Sequence, residues 1–443
     1  MSGSRIVKII IAVIVLALII GGIVLWEMSK TEEGSEKIAT LKDFILFNTD
    51  DSGTDVRFPD PEDTGDGNIE PDGQGGDSGK KAPLLLQLHT DPVAGVFAFL
   101  KDNGDLYIRY IGRKQGHIYE TNMDTLDKDR LSNKTRQKIY EAYWGDSGNS
   151  VATRYLDEKD SETIITNSLT LSSYSTSTST TNTSIEESSS VFLPIDISSV
   201  SVKEAGFSDL FYLIDNGDYS IGKTSKFDGS GAIELFSSQI TEWLSQWPSE
   251  DMITLTTKPS AKVPGYIFSL SPHNGAFSKI FGGINGLTTL VNSGGDLVLY
   301  SESNTGGVVS HVYSIENEDL SDIGIKTLPE KCAWSRTEKY TLFCAIPKNI
   351  PFGDYPDIWY QGSVSFSDDI WRINVLSGVT KKLIDIKETS REDIDIIKPF
   401  ISQNEDSFVF VNKKDSTPWI FRLEDSIEEP QIEGEPVVEE AGR

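Results

Sequence analysis

Cysteine is almost missing: the 443 residues hold two, Cys332 and Cys344. Histidine is nearly as scarce, with His89, His117, His273 and His311 far apart in the chain. Neither a paired-cysteine zinc site nor a histidine cluster can be assembled from these, so no metal is expected. Gly79-Lys80 lacks the upstream glycine and the following Ser/Thr of a phosphate-binding loop. No G-x-S-x-G elbow occurs to mark a hydrolase nucleophile. Gly145-Asp146-Ser147-Gly148 matches the residues around a protease serine, but no histidine stands in a suitable context and a hairpin turn explains them equally well. The same four residue types recur at Gly76-Asp77-Ser78-Gly79. Basic residues are outnumbered, 40 Lys and Arg against 68 Asp and Glu, for a net charge of −28. Such a surface repels phosphate backbones, and nucleic acid is not expected as a partner. No catalytic residue and no cofactor are expected, although so many acids leave a carboxylate-pair hydrolase or lyase open.

What is present begins with an apolar run from Ile9 to Trp26. Its length corresponds to about 27 Å of helix, close to the hydrocarbon thickness of a bilayer. Arg5 and Lys8 precede it, while Glu27, Glu32, Glu33 and Glu36 follow, mixed with Lys30 and Lys37. The positive-inside rule then places residues 1–8 in the cytoplasm and everything after Trp26 outside it. Leu25-Trp26-Glu27-Met28 offers no small-residue cleavage site, so an uncleaved anchor over 9–26 is expected rather than a removed signal peptide. Residues 27–83 form an acidic linker, rich in Asp, Gly and Pro from 48 to 81, with too few apolar groups to offset ordering. They supply no EF-hand spacing. Phe44 to Phe47 is a short apolar piece suited to a strand docking onto the main domain. A Ser/Thr-rich stretch, Ser172 to Ser190, is expected as a loop. Residues 425–443 are an acidic, disordered tail.

Between 84 and 424 the chain is a succession of short alternating or apolar runs bounded by turn residues, with no sustained 3.6-residue period. Leu100-Lys101-Asp102-Asn103-Gly104-Asp105-Leu106-Tyr107 is echoed at Leu213 to Tyr219 and, more loosely, at Val291 to Val298. Ile370 to Gly378 resembles Tyr266 to Gly275, and Trp419 to Leu423 repeats its strand. Blocking by these echoes gives units at 87–131, 137–171, 195–236, 241–282, 285–325, 327–386 and 394–424. Their usual length, about 35–45 residues, suits one four-stranded propeller blade. An all-β propeller of about seven blades is expected, with six to eight compatible. Trp334-Ser335-Arg336 followed by Tyr340-Thr341-Leu342-Phe343-Cys344-Ala345, and less closely Tyr143-Trp144-Gly145, resemble the WD40-like and TolB-type propeller repeats of bacterial envelope proteins. The usual S-P-D-G turn is nowhere intact and the G-H…W-D signature is absent, so the resemblance implies architecture and not activity. The layout also resembles membrane-anchored envelope propellers of candidate-phyla bacteria, a resemblance that leaves function open.

Cys332 and Cys344 flank Glu338 by six residues on each side. A hairpin would set them opposite each other, either as a disulfide worth roughly 3 kcal/mol or as two buried thiols. The insertion from Pro347 to Asp369 carries Phe352, Tyr355, Trp359, Tyr360 and Phe366. These rings either form a contact loop or cover the edge of blade six. Three functions stay open: an anchored protein-binding scaffold for an envelope or surface protein, a carbohydrate- or cell-wall-binding module, and a hydrolase or lyase with a channel site.

Overall fold

A computed structural model describes residues 83–423, apart from 146–147, 158–162, 176–182 and 205–208. The expected anchor at 9–26, the linker with Phe44 to Phe47, and the tail from 425 lie outside these residues. Among the described residues no helix is long and apolar enough to cross a membrane.

The strands form seven antiparallel sheets of four, each one blade of a propeller. β1 (Leu85–Gln87) belongs to the last blade; blade 1 is β2 (Val93–Leu100), β3 (Leu106–Gly112), β4 (Ile118–Asn122) and β5 (Lys128–Arg130). Blade 2 is β6 (Ile139–Trp144), β7 (Ser150–Leu156), β8 (Ile164–Ser175) and β9 (Thr183–Phe192). Blade 3 is β10 (Ile197–Val202), β11 (Asp209–Asp215), β12 (Ser220–Lys226) and β13 (Ile233–Ser238). Blade 4 is β14 (Trp243–Gln246), β15 (Ile253–Thr257), β16 (Pro264–Leu270) and β17 (Phe277–Asn285). Blade 5 is β18 (Thr288–Val291), β19 (Leu297–Asn304), β20 (Gly307–Ser314) and β21 (Asp319–Asp322). Blade 6 is β22 (Cys332–Trp334), β23 (Thr341–Pro347), β24 (Asp368–Asn374) and β25 (Thr380–Asp385). Blade 7 takes β26 (Ile396–Ile401), β27 (Ser407–Asn412) and β28 (Pro418–Arg422) from the end of the chain and β1 from its beginning.

That closure corrects the sequence-based blocking. Leu85 lies opposite Phe421 and Gln87 opposite Trp419, so 85–87 finishes blade 7 and does not start blade 1. The unit 394–424 is short because it supplies only three strands. The Ser/Thr-rich stretch is a second correction. β8 and β9 pair through it, with Leu169 opposite Ser190 and Ser173 opposite Ile185. Residues 172–175 and 183–190 are strand, held by Leu169 and Leu171, which fill the core between blades 1 and 2; residues 176–182 lie outside the described residues.

The first echo is a repeat in part: 100–107 and 291–298 each join the first strand of a blade to its second, whereas 213–219 shares only the turn chemistry. Gly104 (φ +88°) turns the first strand of blade 1 into the second, whereas Gly217 (φ +92°) turns the second strand of blade 3 into the third. Both turns use left-handed backbone that glycine adopts without steric cost. The second echo is in register: β16, β24 and β28 are the third strands of their blades.

Apolar side chains fill the seams between neighbouring blades. The seam of blades 6 and 7 buries Phe343, Ile370, Ile396, Phe408 and Phe421. The seam of blades 4 and 5 is thin, with Ile267, Val291 and Val298 at its centre. Polar bonds reinforce it: Thr256 and Thr289 share a hydroxyl bond of 2.6 Å, and Gln246 receives Val291 N–H at 3.1 Å.

The insertion between β23 and β24 forms a strap over this part of the ring. Its one helical turn, α1 (Asp357–Tyr360), starts with Asp357 accepting Ser260 Oγ at 3.0 Å and Ala261 N–H at 2.6 Å, both on blade 4. At its other end Trp359 Nε1 donates to Asp395, before blade 7, at 3.0 Å. Asp395 also pairs with Lys331 at 2.5 Å, and Lys331 with Asp368 at 2.7 Å, all three side chains shut off from water. Burial pushes Asp368 up to about 6, against the pull of Lys331 and with a further push from Asp395.

Candidate functional site

The first strand of each blade faces a central channel. Gly95 on β2 has no side chain because a Cβ there would stand 2.3 Å from the carbonyl oxygen of Ala142 on β6. Where first strands turn into second strands, the channel opens into a cavity of about 210 Å³. Phe400, Phe97 and Trp144, from blades 7, 1 and 2, form an aromatic row with centroids 6.4 and 6.5 Å apart. Trp334 of blade 6 faces the same cavity, its indole N–H donating to Leu290 O at 3.1 Å. Charged groups stand among these rings: Lys203, Glu204 and Arg336. Lys203 pairs with Glu250 at 3.8 Å. Glu204 is open to water in the channel, yet the enclosing protein pushes its carboxyl up to about 7, with Arg336 pulling the other way. An apolar floor beside a carboxyl half-protonated near neutrality can seat a small amphipathic group and exchange a hydrogen bond with it.

Another part of the channel wall, between blades 7, 1 and 2, is cationic. Lys398 sits on β26 at a bulge with φ +50°, and its ammonium lies 5.9 Å from the ring of Tyr143 on β6. Tyr143 O–H and Arg154 both donate to Glu141, at 3.0 and 2.8 Å. Arg154 also donates to Ile197 O at 2.7 Å and stacks over Tyr140, its guanidinium carbon 5.6 Å from the ring centroid. Arg113 donates to Tyr140 O at 3.0 Å. Burial pushes the Tyr143 hydroxyl far above its ordinary range, reinforced by Glu141. Of these groups the sequence marks only Tyr143, as part of a repeat and not of a site. They become neighbours only when the ring closes, and no local pattern marks them as a site.

On the outer rim, blades 3 and 4 expose aromatic rings. Phe277 stacks on Phe268 at 4.8 Å and meets Phe236 at 5.2 Å. Phe277 is 41% exposed and Tyr266, two residues before Phe268 on β16, is 38% exposed. The outermost strand here, β17, carries a single charge, Lys279.

The five rings of the insertion divide. Tyr355, Trp359 and Phe366 are 0–2% exposed and pack with Val308 and Leu328, so they hold the strap down and are unavailable for contact with a partner. Tyr360 is 39% exposed and its hydroxyl donates to Glu330. Phe352 alone is open, at 85%. Cys332 and Cys344 lie opposite each other across β22 and β23 and form a disulfide with sulfurs 2.08 Å apart. Gly145 and Gly148 close the turn between β6 and β7, Gly148 N–H donating to Gly145 O at 2.8 Å.

No family model matches the chain. No curated protein matches it. Among solved structures, it is similar to an oligogalacturonate lyase from Vibrio parahaemolyticus at 8% identity, covering 76% of this chain and 97% of that one, with a TM-score of 0.44. It is also similar to TolB from Acinetobacter baumannii, at 9% identity over 62% of each chain with a TM-score of 0.39. The β-propeller domain of Cps50 (Swd1) from Myceliophteria thermophila is similar at 9% identity, over 76% of this chain and 99% of that one, with a TM-score of 0.44.

Proposed function

We propose that this chain is an anchored, extracytoplasmic binding module whose propeller captures an envelope or surface protein. The observation that carries the reading is the aromatic rim of exposed Phe277 and Tyr266 on half-buried Phe236 and Phe268, beside the nearly uncharged edge strand β17. Aromatic clusters of this kind are common anchors of protein interfaces, and an unpaired strand edge can take up an extended partner segment. The Cys332–Cys344 bridge supports an oxidising compartment, in keeping with the apolar segment at 9–26 and its basic flank. The test is crosslinking of the full-length chain in native membranes, with wild type beside Phe277→Asp. The proposal expects a defined envelope protein crosslinked to wild type and lost with the variant. Equal capture by both would contradict it.

A carbohydrate ligand is the second reading, because the same rings can stack on sugar faces. A glycan array with wild type and Tyr266→Ala separates the two.

A further inference from the structure

The cationic wall of the channel has more donors than acceptors. Arg113, Arg154 and Lys398 bring three positive charges together, and Glu141 supplies the one carboxylate that acts on all three of them. Arg154 is only 6% exposed, and its Nε–H has no acceptor among the described residues. The same is true of Arg113 Nε–H and of the Tyr140 hydroxyl, both cut off from solvent. The Lys398 ammonium makes no ion pair or hydrogen bond among the described residues and lies 5.9 Å from the Tyr143 ring. Buried donors in native proteins are paired in more than about nine cases of ten. Here unpaired donors of blades 1 and 2 stand near enough to act on a lysine of blade 7 that keeps access to water. The chain as a whole carries −28, so a local excess of positive groups is not a by-product of overall composition.

We propose that this wall is a binding site for a small oxyanion, a phosphate or carboxylate group, held by Lys398 and by the free N–H and O–H groups of Arg113, Arg154 and Tyr140. Guanidinium and ammonium donors favour such oxygens through charge-assisted bonds. The lowered pKa of Lys398 agrees with this: burial is the main cause, and Arg113 and Arg154 push the same way against Glu141. A bound anion would oppose that shift by favouring the charged form of the amine.

Isothermal titration of the full-length chain, kept in detergent, with inorganic phosphate and separately with malonate tests this, using matched sodium chloride as the blank. The expected result is saturable binding of at least one of the two at one per chain, weakened at least tenfold in Lys398→Met and unchanged in the rim variant Lys279→Met. Stronger binding of phosphate or of malonate then tells which oxyanion the site takes. If Lys398→Met does not fold by circular dichroism, Tyr140→Phe serves in its place, with a loss of several-fold expected. No binding beyond the chloride blank, or equal affinity in wild type and the channel variant, would overturn the proposal.

Discussion

Lys331 serves two carboxylates, Asp368 and Asp395, with no access to water. Asp368 is raised to about 6 in the folded chain, above the roughly 3.9 of an unfolded aspartate. The folded state therefore holds the proton more tightly, and this group favours folding more as pH falls from above 6 towards 4. Glu204, raised to about 7, acts in the same direction. The unfolding free energy measured between pH 8 and 5 should rise as pH falls, by at most about 1.4 kcal/mol per pH unit from Asp368, with the exposed Glu204 adding less because solvent screens it. Asp368→Asn should flatten that slope, and an unchanged slope would show that the buried cluster does not govern it. At Cys332 and Cys344, serine at both positions should cost roughly 3 kcal/mol in the chain-entropy model, read as a lower thermal midpoint under non-reducing conditions. The symmetry of the cysteines about Glu338 made this pair legible in the sequence, because antiparallel register is a local property.

At the scale of elements, the strap shows where sequence reasoning stops. A ring-rich insertion is visible in the sequence, but the partners of its rings are not. Asp357 bonds to Ser260, and Trp359 to Asp395, across long stretches of chain. Three of five aromatics therefore became core residues that composition alone could not tell from contact residues. Trp359→Ala should cost on the order of 3–5 kcal/mol, because it opens a cavity and removes a donor from Asp395. Phe352→Ala should be close to neutral. A thermal melt of the two variants checks the contrast. The β8–β9 pairing is hidden for a related reason: Ser-rich composition at 172–175 and 183–190 reads as loop, while the pairing follows from Leu169 and Leu171 just before it reaching the core. Blade number was legible, since turn residues punctuate strands at regular intervals. The origin of the closing strand was not, because β1 and β28 pair across nearly the whole chain. Leu86→Pro should unfasten that closure, removing the Leu86–Ile420 pair, and hydrogen exchange should then rise along β28 and β27 in preference to blades 3 and 4.

For the whole molecule, a charge of −28 makes self-repulsion a standing cost of the compact ring. Raising sodium chloride from about 0.02 to 0.2 M should raise the melting temperature, as screening shortens the range of that repulsion to about 10 Å or less. The two candidate surfaces, rim and channel, differ in chemistry and can be separated by variants. The rim is aromatic and nearly uncharged, whereas the channel wall is cationic and enclosed. The central claim is that the propeller is a binding module acting through its rim. Its most direct test is crosslinking of the full-length chain in native membranes, read by mass spectrometry, with wild type beside Phe277→Asp. The account predicts one defined set of envelope proteins with wild type and its loss in the variant, with Lys398→Met capturing as wild type does. An identical set from wild type and Phe277→Asp, or no protein above background with either, would contradict it.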